Sequence, residues 1–282
     1  MRKMLLFFVL LVSAGIGNAR GEMIVKETGD SNRVLVMIPG FACSGDVWDE
    51  TAAALSLQYH CLQLTLPGFA GAVPTEQPSF QKMEEQIVGE LLKRHIQKAS
   101  FIGHSMGGGL AMAIAADYPE MVESVGIVDA LPCLSALYNP AFKANPDKDY
   151  SAEVERFMSM DDEQYKRTQQ MGAATQTCSP ERIPTILDWV AKTDRRTYIS
   201  MYHSYSNTDL RETLNRVQTK MLVLLEPQFR GIENTVRHQF AGKKDTEIHF
   251  ASKGLHFIMY DDWDWYINHI MSFFNYHVDK AV

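Results

Sequence analysis

The chain has 282 residues, is 46% apolar and 22% charged, and carries a net charge of −7. That balance supports a full hydrophobic core, in one domain with or without an inserted subdomain, and excludes an intrinsically disordered chain. There is no basic stripe of the kind that neutralises phosphates, so nucleic acid is not an expected partner, and the acidity speaks to solubility.

Arg2 and Lys3 precede an apolar run at 4–12 and a small, turn-prone stretch at 13–19. This is the layout of a secretory signal peptide, with cleavage expected near Ala19 and export to the periplasm or the medium. The run is too short to span a bilayer. No later stretch reaches roughly 18 uninterrupted apolar residues, so no stable membrane insertion is expected after cleavage. An exported protein can hold disulfides. Cys43, Cys61, Cys133 and Cys178 allow three full pairings. Cys133 and Cys178 are the first pair to consider; four buried thiols are the alternative.

Residues 34–38 form an apolar run ending in Pro39-Gly40, and 60–66 another ending in Pro67-Gly68. Both predict buried strands followed by turns. Residues 79–94 place Met83, Ile87, Leu91 and Leu92 on one side of a helix. A short strand is expected at 99–102, a Gly- and Ala-rich buried helix at 105–117, and a strand at 122–128 ending in Asp129. Residues 132–217 then break the rhythm. They hold no convincing strand, and show helical spacing around Val154 and Phe157, around Ile183, Ile186 and Val190, and around Tyr198, Met201 and Tyr205. Ser179-Pro180 reads as an N-cap followed by Pro at the first helical position. A strand at 221–225, a helix at 233–240, a strand at 246–251 and a helix at 263–274 complete the chain.

The alternation predicts an α/β fold, a mostly parallel doubly wound sheet covered on both faces. The sheet domain spans 20–131 and 218–282, and 132–217 is an inserted helical cap. Functional residues are expected beyond the carboxyl ends of the strands. Gly103-His104-Ser105-Met106-Gly107 stands at such an end and matches G-x-S-x-G. A serine on a tight strand-to-helix turn projects its hydroxyl into the site, and the following helix N-terminus favours a developing oxyanion. Ser105 is therefore the expected nucleophile. His104 reads as a packing residue rather than a base.

With these residues in view, the chain resembles the α/β-hydrolase superfamily over nearly its whole mature length. Gly-His-Ser-Met-Gly-Gly at 103–108 is similar to the family's esterase-like branches. Pro39-Gly40-Phe41 resembles its oxyanion loop, with Pro39 standing where many relatives have His. Leu66-Pro67-Gly68-Phe69 resembles a further family segment, and Gly254-Leu255-His256-Phe257 the late loop that supplies the catalytic His. The resemblance implies that the backbone N–H groups of Phe41 and Met106 form the oxyanion hole. The family's chain order of Ser, acid, His favours His256 among the nine histidines as the base. His249 lies inside a predicted strand, and His269 and His277 fall on or after the last helix.

The acid departs from the family's pattern. Phe229 occupies the usual Asp position after the strand at 221–225, and a phenyl ring cannot orient an imidazole. Asp129 is the preferred replacement. One group of haloalkane dehalogenases draws its acid from that place, and the Gly-Leu-His arrangement resembles that group. A Ser nucleophile argues against dehalogenation, which needs a carboxylate there. Glu226 is the alternative acid; Asp245 and Asp261 lie too close to the ends of the last strand. The expected function is hydrolysis of an ester or related acyl bond of a small, partly apolar substrate through an acyl-enzyme on Ser105. No metal or organic cofactor is implied, and the oligomeric state is open. A non-catalytic ligand-binding protein on the same fold is the alternative that the missing acid motivates.

Overall fold

The computed structural model describes residues 21–276 apart from position 174. The expected leader at 1–19 and His277 lie outside the described residues. The strands are β1 (Ile24–Thr28), β2 (Val34–Ile38), β3 (His60–Thr65), β4 (Ala99–His104), β5 (Val122–Val128), β6 (Lys220–Leu225) and β7 (Glu247–Phe250). They form one seven-stranded sheet in the order β1-β3-β2-β4-β5-β6-β7. β1 runs antiparallel to β3 at the edge, and the other neighbours pair in parallel.

The helices are α1 (Asp49–Leu55), α2 (Phe80–Lys93), α3 (Met106–Asp117), α4 (Ser151–Met158), α5 (Asp162–Ala173), α6 (Ile183–Ala191), α7 (Arg195–Ser206), α8 (Glu233–Gln239), α9 (Ile258–Asp261) and α10 (Trp263–Tyr276). Period-two alternation sends successive strand residues to opposite sheet faces. Val36, Ile38, Phe101, Val125 and Val223 face one layer, under Met83 and Ile87 of α2, Leu110 of α3 and Val236 of α8. Leu35, Met37, Ile102, Val128 and Leu224 face the other, under Leu55 of α1 and Tyr266, Ile270 and Phe274 of α10. Both faces are dry, which explains strands that read as unbroken apolar runs. Each fully buried Leu or Ile here contributes roughly 1.5–3 kcal/mol.

Between β5 and β6 the described residues hold no strand. α4 to α7 lie there, and the segment is seated on the loops at the carboxyl ends of the strands. Gly71 N–H donates to the Lys192 carbonyl at 3.1 Å, Asp194 N–H to that of Gly68 at 2.8 Å, and Phe80 N–H to Ser204 Oγ at 2.9 Å. No helix among the described residues is long and apolar enough to cross a membrane.

The cysteines correct one expectation. All four are free thiols: Cys43, Cys61 and Cys133 are buried, and Cys178 is exposed. Cys133 lies in the loop after β5 with its N–H on Gln239 Oε1, whereas Cys178 lies at the surface with its N–H on Asp261. The two are therefore held by different elements. Burial pushes the Cys43 and Cys61 thiols up to about 12, leaving them inert packing groups.

Close approach explains the glycines around Ser105. A Cβ on Gly107 would lie 2.3 Å from the Ile38 carbonyl oxygen and 2.4 Å from that of Pro39. Both are backbone atoms that cannot swing aside. Gly89, on the exposed side of α2, has nothing within 4 Å. Gly107→Ala is expected to destabilise the fold by about 3 kcal/mol or more. Gly89→Ala should stabilise it by about 0.5–1 kcal/mol through helix propensity. Urea denaturation of the two variants separates these outcomes.

Candidate active site

Ser105 stands between β4 and α3 with φ 53° and ψ −123°. Such a conformation costs a non-glycine residue about 1–3 kcal/mol and persists only where neighbours over-determine it. Here the sheet does so. Ser105 N–H donates to the Val128 carbonyl at 2.8 Å, and the Ser105 carbonyl accepts from the N–H groups of Gly108 and Gly109 at 2.8 and 3.1 Å. The turn is thereby clamped to β5 on one side and to α3 on the other.

Asp129 follows β5 and repeats the device one strand over. Its φ is 51°, and its N–H donates to the Leu224 carbonyl of β6 at 2.8 Å. Its side chain is almost fully buried, with two partners. Oδ1 accepts from the Glu226 N–H at 2.7 Å, and Oδ2 pairs with His256 Nδ1 at 2.6 Å. A buried carboxylate is tolerated where its oxygens are satisfied in this way. With Nδ1–H given to Asp129, His256 keeps Nε2 as the basic nitrogen.

His256 lies in the loop between β7 and α9. Its backbone carbonyl accepts from His104 Nε2–H at 2.9 Å. The His104 ring lies 4.6 Å from the His256 ring and 4.8 Å from Phe257. A carbonyl can only accept, so His104 carries its proton on Nε2. Burial, and then the charge on His256, hold the His104 pKa well below 6.5. His104 is thus neutral and does more than pack, because it also holds the His256 backbone. For His256 itself, burial opposes the charged form, but the Asp129 hydrogen bond and charge outweigh it and raise the pKa above 6.5.

The alternative acid lies elsewhere in the constellation. Glu226 follows β6 and gives its N–H, not its carboxylate, to Asp129. Burial, and then the Asp129 charge, push the Glu226 carboxyl up to about 7. Phe229 packs its ring against the core. Asp261 is bonded to the Leu255 N–H and to residues 177–179, not to an imidazole. The His249 and His269 rings face each other at 4.8 Å beside β7, with the His269 Nδ1–H on the Trp265 carbonyl.

Met106 opens α3 fully buried, and its N–H is a first-turn donor with no intrahelical acceptor. Phe41 follows β2. Its ring meets Phe69 at 5.3 Å and, from α7, Tyr198 at 4.8 Å and Tyr202 at 6.5 Å. Elsewhere in the helical segment, Phe157 stacks on Tyr198, and Tyr205 on Phe80.

A strained serine at a strand–helix turn, with a His–Asp pair carried by neighbouring loops of a parallel sheet, is the arrangement of the α/β hydrolases. The alpha/beta hydrolase fold family matches residues 33–178, just over half of the sequence, and the chain belongs to it. A pimeloyl-[acyl-carrier protein] methyl ester esterase of Nitrosomonas europaea is 27% identical over 215 residues, covering 70% of this chain and 78% of the relative. The enzyme of that name from Aliivibrio fischeri is 30% identical over 143 residues, 48% of this chain and 54% of the relative. This chain thus spans about half the length of that second relative. Among solved structures, the enol-lactonase of Burkholderia xenovorans superposes with a TM-score of 0.74 at 15% identity, over 90% of this chain and 97% of the other.

Two titrations check these electrostatics. Imidazole NMR should place the His256 pKa above 6.5, and Asp129→Asn should bring it below, because burial then outweighs the remaining Glu226 charge. The pKa is raised in the folded state, so this contribution to stability is complete below pH 6.5 and is lost as pH rises through the folded value. Glu226 has the same sense: the folded protein holds its proton between 4.5 and about 7, so stability falls as pH rises across that window. Glu226→Gln should remove this fall, and the variant should gain on wild type at pH 8 relative to pH 5 in urea denaturation.

Proposed function

We propose that the protein is a serine ester hydrolase that works through an acyl-enzyme on Ser105. The observation that carries this reading is the buried Asp129 carboxylate on His256 Nδ1 at 2.6 Å, beside the strained Ser105 turn. It supports Asp129 as the third group, in place of the acid missing at Phe229.

His256 Nε2 takes the Ser105 hydroxyl proton as Oγ attacks the ester carbonyl carbon. The backbone N–H groups of Phe41 and Met106 receive the oxyanion. Asp129 keeps His256 in the required tautomer and stabilises the imidazolium. The imidazolium then protonates the departing alcohol, leaving an acyl group on Ser105. Water, deprotonated by His256, releases the acid and restores the serine.

The helical segment between β5 and β6 acts as the cap. Phe41, Tyr198 and Tyr202 offer apolar and aromatic surface next to the oxyanion position, which favours a small, partly apolar acyl group. The relatives named as methyl ester esterases support carboxylic esters as the first class to test. Export through the leader at 1–19 belongs to the same reading and is checked by N-terminal sequencing of the fractionated mature protein.

A fluorophosphonate probe should label the wild type and fail on Ser105→Ala. Absence of labelling on folded wild type would favour a non-catalytic binding protein. Against a short-chain ester, Asp129→Asn should lower kcat by about 10⁴-fold, the scale seen when a triad acid is neutralised. Wild-type turnover would remove Asp129 from the mechanism. The acid limb of kcat/KM should titrate above pH 6.5, because His256 must be neutral to accept the proton.

A further inference from the structure

The loop that carries His256 is held from outside the sheet. Asp261, the last residue of α9, accepts on Oδ2 from the Leu255 N–H at 2.9 Å. The same carboxylate accepts from three consecutive residues of the segment between β5 and β6. Thr177 Oγ1 lies at 2.6 Å, the Cys178 N–H at 3.0 Å from each oxygen, and Ser179 Oγ at 3.0 Å. Two residues beyond Leu255, the Phe257 N–H donates to the Gln176 carbonyl at 3.2 Å. The N–H groups immediately before and after His256 are therefore both secured through residues 176–179.

The local chemistry is specific. Ser179 does not cap the turn that follows it, as its sequence context predicts; its hydroxyl is given to Asp261 instead. Gly254 has φ +96°, and a Cβ there would lie 2.7 Å from Asp261 Cβ, so the loop is pressed against this side chain. α9 starts from Phe257, whose carbonyl accepts the Asp261 N–H at 3.1 Å. A carboxylate that accepts charge-assisted bonds from four residues is a strong fixed point.

We infer that Asp261 is a positioning residue that latches the His256 loop to residues 176–179 of the helical insert, so that the seating of the insert sets the placement of the general base. This rests on the reading of His256 as the base. The latch leaves the Asp129 pair untouched and acts on where the imidazole stands, not on its affinity for protons. A displacement of about 1 Å at a catalytic group costs on the order of 10²-fold in rate, so a loosened latch reads out in kcat.

The test compares Thr177→Val/Ser179→Ala with Asp261→Ala and Asp261→Asn, using p-nitrophenyl butyrate as the probe. The double variant removes the insert's two hydroxyl donors and leaves Asp261 and the His loop intact. It should lower kcat by about 10-fold, with KM within about 2-fold of wild type. Asp261→Ala should lose more. Asp261→Asn should fall between wild type and Ala, since its amide oxygen still accepts. The acid limb of the pH profile should stay at its wild-type position in all three. Hydrogen–deuterium exchange over 252–258 should quicken in the same order, and it reads the latch whether or not the protein turns over esters. Wild-type kcat and wild-type exchange in Thr177→Val/Ser179→Ala would overturn the latch, even if Asp261→Ala fails to fold. Absence of fluorophosphonate labelling in the wild type would instead sink the catalytic reading and leave the exchange result standing.

Discussion

Two neighbouring strands of the sheet end in non-glycine residues with φ near +50°, and the site depends on that pair of turns. Ser105 and Asp129 each give their backbone N–H to the next strand, at Val128 and Leu224. The parallel ladder thus runs one residue beyond β4 and β5 and fixes the peptide at the point where the chain turns. A lone residue in this conformation would relax by about 1–3 kcal/mol. It cannot do so without breaking a ladder bond inside a packed sheet, and leaving a buried N–H unpaired costs a similar amount. Strain and ladder hold each other in place.

The rest of the sheet makes that clamp rigid. Side chains alternate between two dry layers, so a shift of β4 or β5 along its axis would move large buried groups on both faces at once. The glycines around the turn permit the approach that the clamp needs. Gly103 and Gly107 lie so close together that a Cβ on Gly103 would sit 2.2 Å from the Gly107 carbonyl oxygen. The motif is therefore a packing requirement as well as a chemical one: small residues appear where backbone meets backbone, and the serine appears where the strained turn points outward.

The strands at 34–38, 60–65, 99–104, 122–128 and 220–225 were legible because burial on both faces makes them plain apolar runs. α2 and α10 were legible from helical spacing. β1 was not: it is an edge strand, with Lys26 and Glu27 largely exposed, and its pairing with β3 carries no local signature. α5 escaped for a related reason, since its DEQYKR start is too polar to show an apolar face. In the site, Ser105 follows from five residues and His256 from chain order. Asp129 could be proposed because a strand-ending Asp is visible, but that its carboxylate, and not that of Glu226, meets His256 is visible only in the fold. It turns on which of two adjacent strand ends directs a side chain, rather than an N–H, toward His256. Asp261 was set aside as an acid on position alone, and its five bonds come from residues up to 84 positions away. No sequence spacing encodes such a contact.

Four groups around the His256 loop differ in what they do with charge. Asp129 is the buried anion that favours imidazolium. Glu226 sits one strand over and also favours it, but that carboxyl is itself pushed up by Asp129, so the two do not both carry full charge cheaply near neutral pH. His104 stays neutral because burial and His256 both oppose its protonation, and it can therefore hold the His256 carbonyl without repelling an imidazolium 4.6 Å away. Asp261 turns its charge to backbone and hydroxyl donors. A single strong electrostatic partner and several geometric ones let the imidazole gain basicity from Asp129 while its position is set independently. Asp129 meets the imidazole itself, whereas Asp261 and His104 meet the backbone on either side of it.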